Sequence, residues 1–457
     1  MQASAHKSIF RRILQIISFL LLAGLAYGVY YINSLMPVIT GYPAKFLCSA
    51  MFVSGREQAE VEAMDLHFSF IKYVKNVVDI KDSSVTSSFL WGKSKAIYRR
   101  GFGATLLRGV KEDEFRKVKF PETKFSFNPD TTKWPLGNIL PKKGSSTDTV
   151  QLERIAEKLL DEEGYTGHAF GFMVVHKGIP VVEAYQPQFN EKTRFLSWSM
   201  AKSVTNALAG MLIKDGKLKL EQQADIPEWQ NDDRKKITID DLLHMQSGLR
   251  WNEDYGNRSD VTVMLYCEND FARFTYNHPM QYPAGTHWYY SSGSVNVLNY
   301  LMRKTIGNDD DYYRFSQERL FNKIGMANAV FEVDASGTQV GSSYVYATVR
   351  DYARFGLLYL NDGKINGEQI LPEGWVKYTT TPASDSKGKY GALFWLNQAK
   401  AFPSAPTDMY SCNGHDGQQI FIIPSKELVV VVVGYSPRPN REMKFDELLS
   451  DILKTIQ

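Results

Sequence analysis

A serine and a lysine three residues apart, Ser199 and Lys202, head a stretch that could carry out nucleophilic chemistry. A serine hydroxyl is a poor nucleophile until a neighbouring base takes its proton. A lysine can be that base only where burial or other cations lower its pKa. Positions i and i+3 of a helix share a face, so the Lys202 amine can reach the Ser199 hydroxyl one turn away. Downstream, Val204, Leu208, Met211 and Leu212 recur at helical spacing, and Lys214-Asp215-Gly216 supplies a last-turn cation and a glycine stop. The spacing predicts an apolar helix with the pair at its mouth. Ser-x-x-Lys also occurs at Ser4–Lys7, Ser69–Lys72 and Ser384–Lys387, so spacing alone does not single out Ser199. The same residues also fit a plain helix start, with Ser199 as cap and Lys202 solvated.

The elements that must position this pair follow from periodicity. Thr149 to Glu162 reads as an amphipathic helix, followed by a hairpin of Ala169 to Val175 and Ile179 to Tyr185 around His176-Lys177-Gly178. From about 200 to 350 the pattern is mainly helical, and Asp351 to Leu360 is a further helix. Strands return at Gly391 to Leu396, Gln418 to Ile423 and Leu428 to Gly434, and Phe445 to Ile456 closes the chain as a helix. Two strand sets flanking a helical block predict one antiparallel sheet with an inserted helical region, an α/β (α+β) architecture. The candidate residues then fall at the seam, where ligand clefts favour domain interfaces.

A chain of 457 residues exceeds a single compact core, so two domains with extras are expected. With 44% hydrophobic residues and a net charge of +3, it reads as globular, with no basic stripe for nucleic acid. Three scattered cysteines and no metal-ligand or phosphate-loop motif argue against a disulfide framework, a metal site or a bound cofactor. Ile13 to Ile32 is an apolar run of membrane-spanning length. Lys7, Arg11 and Arg12 precede it and no Lys or Arg follows until Lys45, which predicts an uncleaved anchor with the bulk of the chain on the external, periplasmic side. Residues 1–35 are thus expected to be a cytoplasmic tip and anchor, 36–146 a small flanking α+β subdomain and linker, and 147–457 the main domain. In the flanking part, Leu66 to Val78 suggests a helix, and Val85 to Leu90 with Lys95 to Arg99 a hairpin around Gly92-Lys93. Pro121 to Ser146 reads as irregular linker.

Two further stretches complete a pattern: Tyr290-Ser291-Ser292 and His415-Asp416-Gly417. With Ser199-Met-Ala-Lys202 they fall in the order of the three motifs of the penicillin-recognising serine hydrolases. Over roughly residues 150 to 457 the chain resembles that superfamily, and most of all its 6-aminohexanoate-dimer-hydrolase-like branch. Ile237 to Leu249 and Ala347 to Gly356 add to the likeness. The resemblance implies a β-lactamase/DD-peptidase-like fold and a hydrolase without metal or cofactor. It implies Ser199 as the acylated nucleophile, with Lys202 and Tyr290 handling protons. It further implies an oxyanion hole from the backbone N–H groups of Ser199 and Gln418, and substrate contacts at Ser292, His415 and Gly417. A phenol needs a nearby ammonium to work near neutral pH, and Lys202 is expected to supply it. His244 and His287 are read as structural, and Cys412 lacks an orienting motif.

Two departures bear on substrate. The second motif usually ends in Asn, but Ser292 has no NH₂ donor. The third often begins with Lys, a fixed cation, whereas His415 is mostly neutral at pH 7. Both changes tilt the reading toward esters or amides without a strict carboxylate anchor. The alternatives are a DD-peptidase or β-lactamase, and a catalytically idle relative that binds peptidoglycan or a protein partner.

Overall fold

The computed structural model describes residues 2–456 apart from 124, 126, 143–147, 162–163 and 438–440, with backbone alone over 2–9. Gly144-Ser145-Ser146 of the expected linker and Glu162 of the expected helix lie outside these residues.

Helix α1 (Gln2–Phe52) extends well past the apolar run. Its stretch from Phe10 onward is long and apolar enough to cross a membrane. Phe10 through Ile32 present exposed apolar side chains, whereas Ala44, Leu47, Cys48 and Ala50 are buried in the body. One helix therefore has an exposed apolar half and a buried half. Pro37 and Pro43 lie inside it, each removing one intrahelical donor.

The buried half of α1 packs under an antiparallel sheet, β1 (Lys75–Asp79), β2 (Ser84–Phe89), β3 (Gly92–Arg99) and β4 (Gly103–Leu106), paired in chain order. The expected helix over Leu66 to Val78 is absent. Ser69 turns the chain with φ of 44°, and the β-branched pair Val77-Val78 instead finds partners in Thr86 and Val85. The hairpin stands where expected, but its turn is Leu90-Trp91, and Gly92 pairs with Phe89.

Helix α2 (Thr149–Leu160) is capped by Asp148, which accepts from the Gln151 amide at 3.0 Å. Strands β5 (Ala169–His176) and β6 (Ile179–Tyr185) follow, joined by left-handed Lys177 and Gly178. Next come α3 (Ala201–Lys214), α4 (Ser292–Ile306) and α5 (Val349–Leu360), then β7 (Trp395–Leu396), β8 (Tyr410–Asn413), β9 (Gln419–Ile423) and β10 (Leu428–Gly434), and finally α6 (Phe445–Lys454). The main sheet is antiparallel in the order β7-β8-β9-β10-β5-β6, so both strand sets do share it. Strand β8 escapes sequence reading. The Gly391 to Leu396 strand shrinks to two residues because Leu393 adopts φ of 59° and Gly391 lies against the Thr379 carbonyl.

Side-chain alternation divides the core into two layers. Phe172, Val174, Val430 and Val432 face α2 and α6, joining Leu152, Leu159, Leu448 and Ile452. Met173, Val175, Val429 and Val431 face the helical block, joining Val204, Leu208, Tyr352 and Phe355. Each such side chain contributes roughly 1.5–3 kcal/mol by leaving water. The linker is tied down as well. Buried Arg354 of α5 donates to the carbonyls of Pro135 and Gly137 and pairs with Asp351.

Candidate active site

Ser199 lies in a 3-10 turn (Trp198–Met200) that runs directly into α3. The turn is pinned on both sides. The Ser197 amide donates to the Val345 carbonyl at 2.8 Å, and the Val345 amide donates back to the Ser197 hydroxyl at 3.1 Å. Trp198 is left-handed, with φ of 45°, a costly backbone state for a bulky residue that its packing maintains. Its ring rests among Phe46 of α1, Tyr344 and His415. Ser199 itself is partly exposed.

Lys202, one helical turn on, is 1% exposed. Its amine lies 2.9 Å from Ser199 Oγ and 3.0 Å from Ser292 Oγ, and donates to the Ser342 carbonyl at 2.8 Å. Those partners come from three separate segments. The Ser342 segment is held in turn by Asn296 of α4. Burial lowers the Lys202 pKa to about 8, against the opposing pull of the Glu253 carboxylate. Of the other three Ser-x-x-Lys pairs, Ser69–Lys72 and Ser384–Lys387 sit on exposed turns, and the Ser4–Lys7 side chains lie outside those described.

Tyr290 and Ser292 flank Ser291, whose hydroxyl caps α4 by accepting from the Ser294 amide at 3.1 Å. Capping thus fixes both neighbours at the helix mouth. The Tyr290 hydroxyl is hydrogen-bonded to Ser199, its ring is 4.8 Å from Lys202 Nζ, and Tyr390 and Trp395 box it in. The phenol is not depressed in these surroundings. Burial first and Glu253 second push its pKa up, with the Ser199 hydrogen bond opposing.

The β8–β9 turn brings the third group. Gly414 is pressed onto the Ser199 turn so closely that a Cβ there would stand 2.3 Å from the Ser197 carbonyl oxygen. His415 follows, stacked on Tyr255 at 5.1 Å and edge-on to Trp198 at 5.6 Å. Gly417 is left-handed, with φ of 90°, and Gln418 leads into β9 with its side chain clamped to the Gly434 backbone. Cys412, in contrast, is buried on β8 with its thiol pushed up to about 12 by burial, which removes it as a nucleophile. His244 pairs with Asp240 and His287 with Asp385, away from this cluster.

The family model for beta-lactamases matches residues 152–452, most of the chain. The chain belongs to the beta-lactamase family. Relatives within and around this family span amide and ester hydrolysis. The 6-aminohexanoate-dimer hydrolase of Paenarthrobacter ureafaciens is 24% identical over 342 residues, covering 67% of this chain and 85% of its own. Among solved structures, a family VIII carboxylesterase aligns with a TM-score of 0.55 at 14% identity, covering 69% of this chain and 99% of its own. A penicillin binding protein from Bacillus halodurans aligns at 0.52 and 16% identity, covering 65% and 99%. These structural likenesses establish the fold. As a member of the beta-lactamase family, this protein is a serine hydrolase.

One residue at this beta-lactamase-family site escapes sequence reading. The Glu253 carboxylate accepts from the Ser292 hydroxyl at 2.5 Å, the Ser292 amide at 2.9 Å, Trp251 Nε1 at 2.5 Å and the Tyr255 hydroxyl at 3.1 Å. Its loop has no periodicity to mark it. Ser292 links the two groups: it donates to Glu253 from its amide and its hydroxyl, and the same hydroxyl lies 3.0 Å from Lys202 Nζ. An anion thus stands one hydroxyl away from Lys202.

Proposed function

We propose that this serine hydrolase cleaves an ester or amide through an acyl-enzyme on Ser199. The observation that carries the reading is the buried Lys202 amine, 2.9 Å from Ser199 Oγ and held near pH 8 by burial. A lysine with that pKa is substantially neutral at mildly alkaline pH and can accept the serine proton. Ser199 Oγ then attacks the carbonyl carbon, and the developing oxyanion is met by the backbone N–H groups of Ser199 and Gln418. Collapse expels the alcohol or amine, which takes a proton through Tyr290. A water then attacks the acyl carbon as its proton passes to the same pair, the bond to Ser199 Oγ breaks, and that proton returns to Oγ as the carboxylic acid leaves. Tyr290, raised by burial, acts as a neutral phenol that relays protons and Lys202 as the base. Ser292, His415 and Gly417 line the substrate side.

His415 is half-exposed and its ring lies 3.3 Å from the Asp416 carboxylate, so it is a poorer anchor for a substrate carboxylate than a lysine and favours substrates without one. This orders esters and simple amides ahead of cell-wall peptides and β-lactams. On the same reading, residues 1–35 anchor the protein and 147–457 form the hydrolase domain on the external face, with 36–146 as a flanking subdomain. The cations before the apolar run and their absence until Lys45 support that orientation.

Intact mass after exposure to a fluorophosphonate probe tests the chemistry, with wild type and Ser199→Ala side by side. The wild type should take one adduct on the Ser199 peptide and hydrolyse p-nitrophenyl esters. Ser199→Ala should take none and lose at least about 10⁴-fold in kcat. An adduct retained by the variant, or well-folded wild type with neither adduct nor turnover, overturns the reading.

A further inference from the structure

The hairpin turn β2–β3 carries a cluster that the hydrolase does not need. Leu90 is 69% exposed, Trp91 59%, and the neighbouring Phe70 and Tyr73 59% and 65%. Phe70 and Phe89 lie 6.4 Å apart, which sets the Phe70 turn beside the hairpin tip. Four large apolar side chains left in water at one tip are costly unless something covers them.

Their position relative to α1 identifies the cover. Trp91 Nε1 donates to Asn33 Oδ1 at 3.2 Å, and Gly92 lies against Met36 so tightly that a Cβ would stand 2.9 Å from its own. Asn33 is the first residue after the Ile13–Ile32 run. That run of about 20 residues rises ~30 Å, the thickness of the bilayer hydrocarbon. The last turns of the run expose Tyr27, Tyr30 and Tyr31, the residue type that sits at headgroup level. Trp91 is thus tied to the helix at its point of exit. Around the tip stand exposed cations. Lys75 and Lys93 both pair with Ser88 across the sheet, so they share a face, and Lys72 lies over the Tyr73 ring. An apolar tip with a basic collar is the pattern of a lipid-interface contact.

We propose that this tip, Phe70, Tyr73, Leu90 and Trp91, inserts into the lipid interface beside α1 and seats the hydrolase on the membrane surface. The proposal rests on α1 being a membrane span. It also places the Ser199 cleft. Arg258 donates to the Ser34 carbonyl at 3.3 Å, and three residues earlier Tyr255 stacks on His415 and lies 3.5 Å from Ser292 Oγ. Three residues span at most about 11 Å, so one wall of the cleft stands close to the helix exit. Substrates held at the lipid surface, amphiphilic esters or amides, come within reach without first entering bulk water.

The test reconstitutes the full chain into phosphatidylcholine–phosphatidylglycerol vesicles containing phospholipid brominated at shallow acyl positions. Flotation reads anchoring, and the emission difference between wild type and Trp91→Phe isolates Trp91. Wild type and variant should both float, and the Trp91 component should lose at least about half its intensity in brominated vesicles. Charge reversal at Lys72, Lys75 and Lys93 should reduce that quenching without changing flotation. Floating protein whose Trp91 component is unquenched overturns the tip contact and leaves the anchor reading intact. Such a result points to a protein partner or second copy as the cover. Wild type that fails to float overturns both.

Discussion

At the scale of single residues, the site is set by what surrounds one amine. Burial lowers the Lys202 pKa to about 8, while Glu253 pulls it up. An ammonium cannot accept a proton, so the competent form grows as pH rises. The kcat/KM for a neutral ester should therefore climb with pH through about 8 and level off above it. A profile flat from about pH 6 to about pH 9 would exclude Lys202 as the base. Glu253→Gln keeps the shape and one of the two acceptor oxygens but removes the anion. Desolvation then acts on Lys202 unopposed, so its pKa falls and the ascending limb moves to lower pH. If Glu253 merely props up its loop, the variant loses stability and the limb stays in place. The pH profile and a melting curve together separate these roles.

At the scale of elements, the interest lies in how α1 is bolted to the hydrolase. Lys45 of α1 pairs with Glu332 at 2.5 Å, both fully buried, and Ser49 and the Ala104 amide complete the carboxylate's shell. One ion pair thus joins α1, β4 and the segment after Phe331. Removing one partner strands the other charge in the interior. Lys45→Met should cost about 3–5 kcal/mol in chemical denaturation, and adding Glu332→Met should recover much of the loss. Equal costs for the single and double variants would show that packing, not the charge, holds the joint. The same helix also braces the Ser199 turn, since Phe46 stacks on Trp198 at 6.3 Å. Loosening α1 should therefore be felt at Ser199.

At the scale of the whole molecule, α1 is one helix with an exposed apolar half and a buried half. Its break is chemical and falls near residue 35, although the helix itself continues to Phe52. A chain starting at Ser34 loses the exposed apolar run and the Asn33 bond to Trp91 but keeps the buried half of α1, and it should be soluble and retain turnover. A chain starting at Ser54 also strips Ala44, Leu47, Cys48 and Ala50 from the core, and its soluble yield should fall several-fold. Soluble, active protein from the shorter chain would show that the β1–β4 sheet and the hydrolase stand without α1.

Much of this was written locally in the sequence. The apolar run, the β5–β6 hairpin and the Val204, Leu208, Met211 stripe were legible because burial on one face imposes a period of 3.6 or 2 on neighbouring residues. The grouping of Ser199, Lys202, Tyr290 and His415 was legible through the resemblance of three short motifs to those of a known family, since Tyr290 and His415 by themselves read as ordinary packing and loop residues. The two-residue β7, the missed β8 and the false helix at Leu66 to Val78 were not, since short segments take their conformation from partners. Val77 and Val78 became strand because Thr86 and Val85 were there to pair with. Glu253 was invisible for a like reason. It acts on Lys202 through space and across Ser292, which lies 39 residues from it along the chain. The pKa of Lys202 and the alignment of Trp91 with Asn33 belong to the same class. Sequence determined which groups were available, and tertiary structure decided which met out of water, where solvation and proximity set the chemistry.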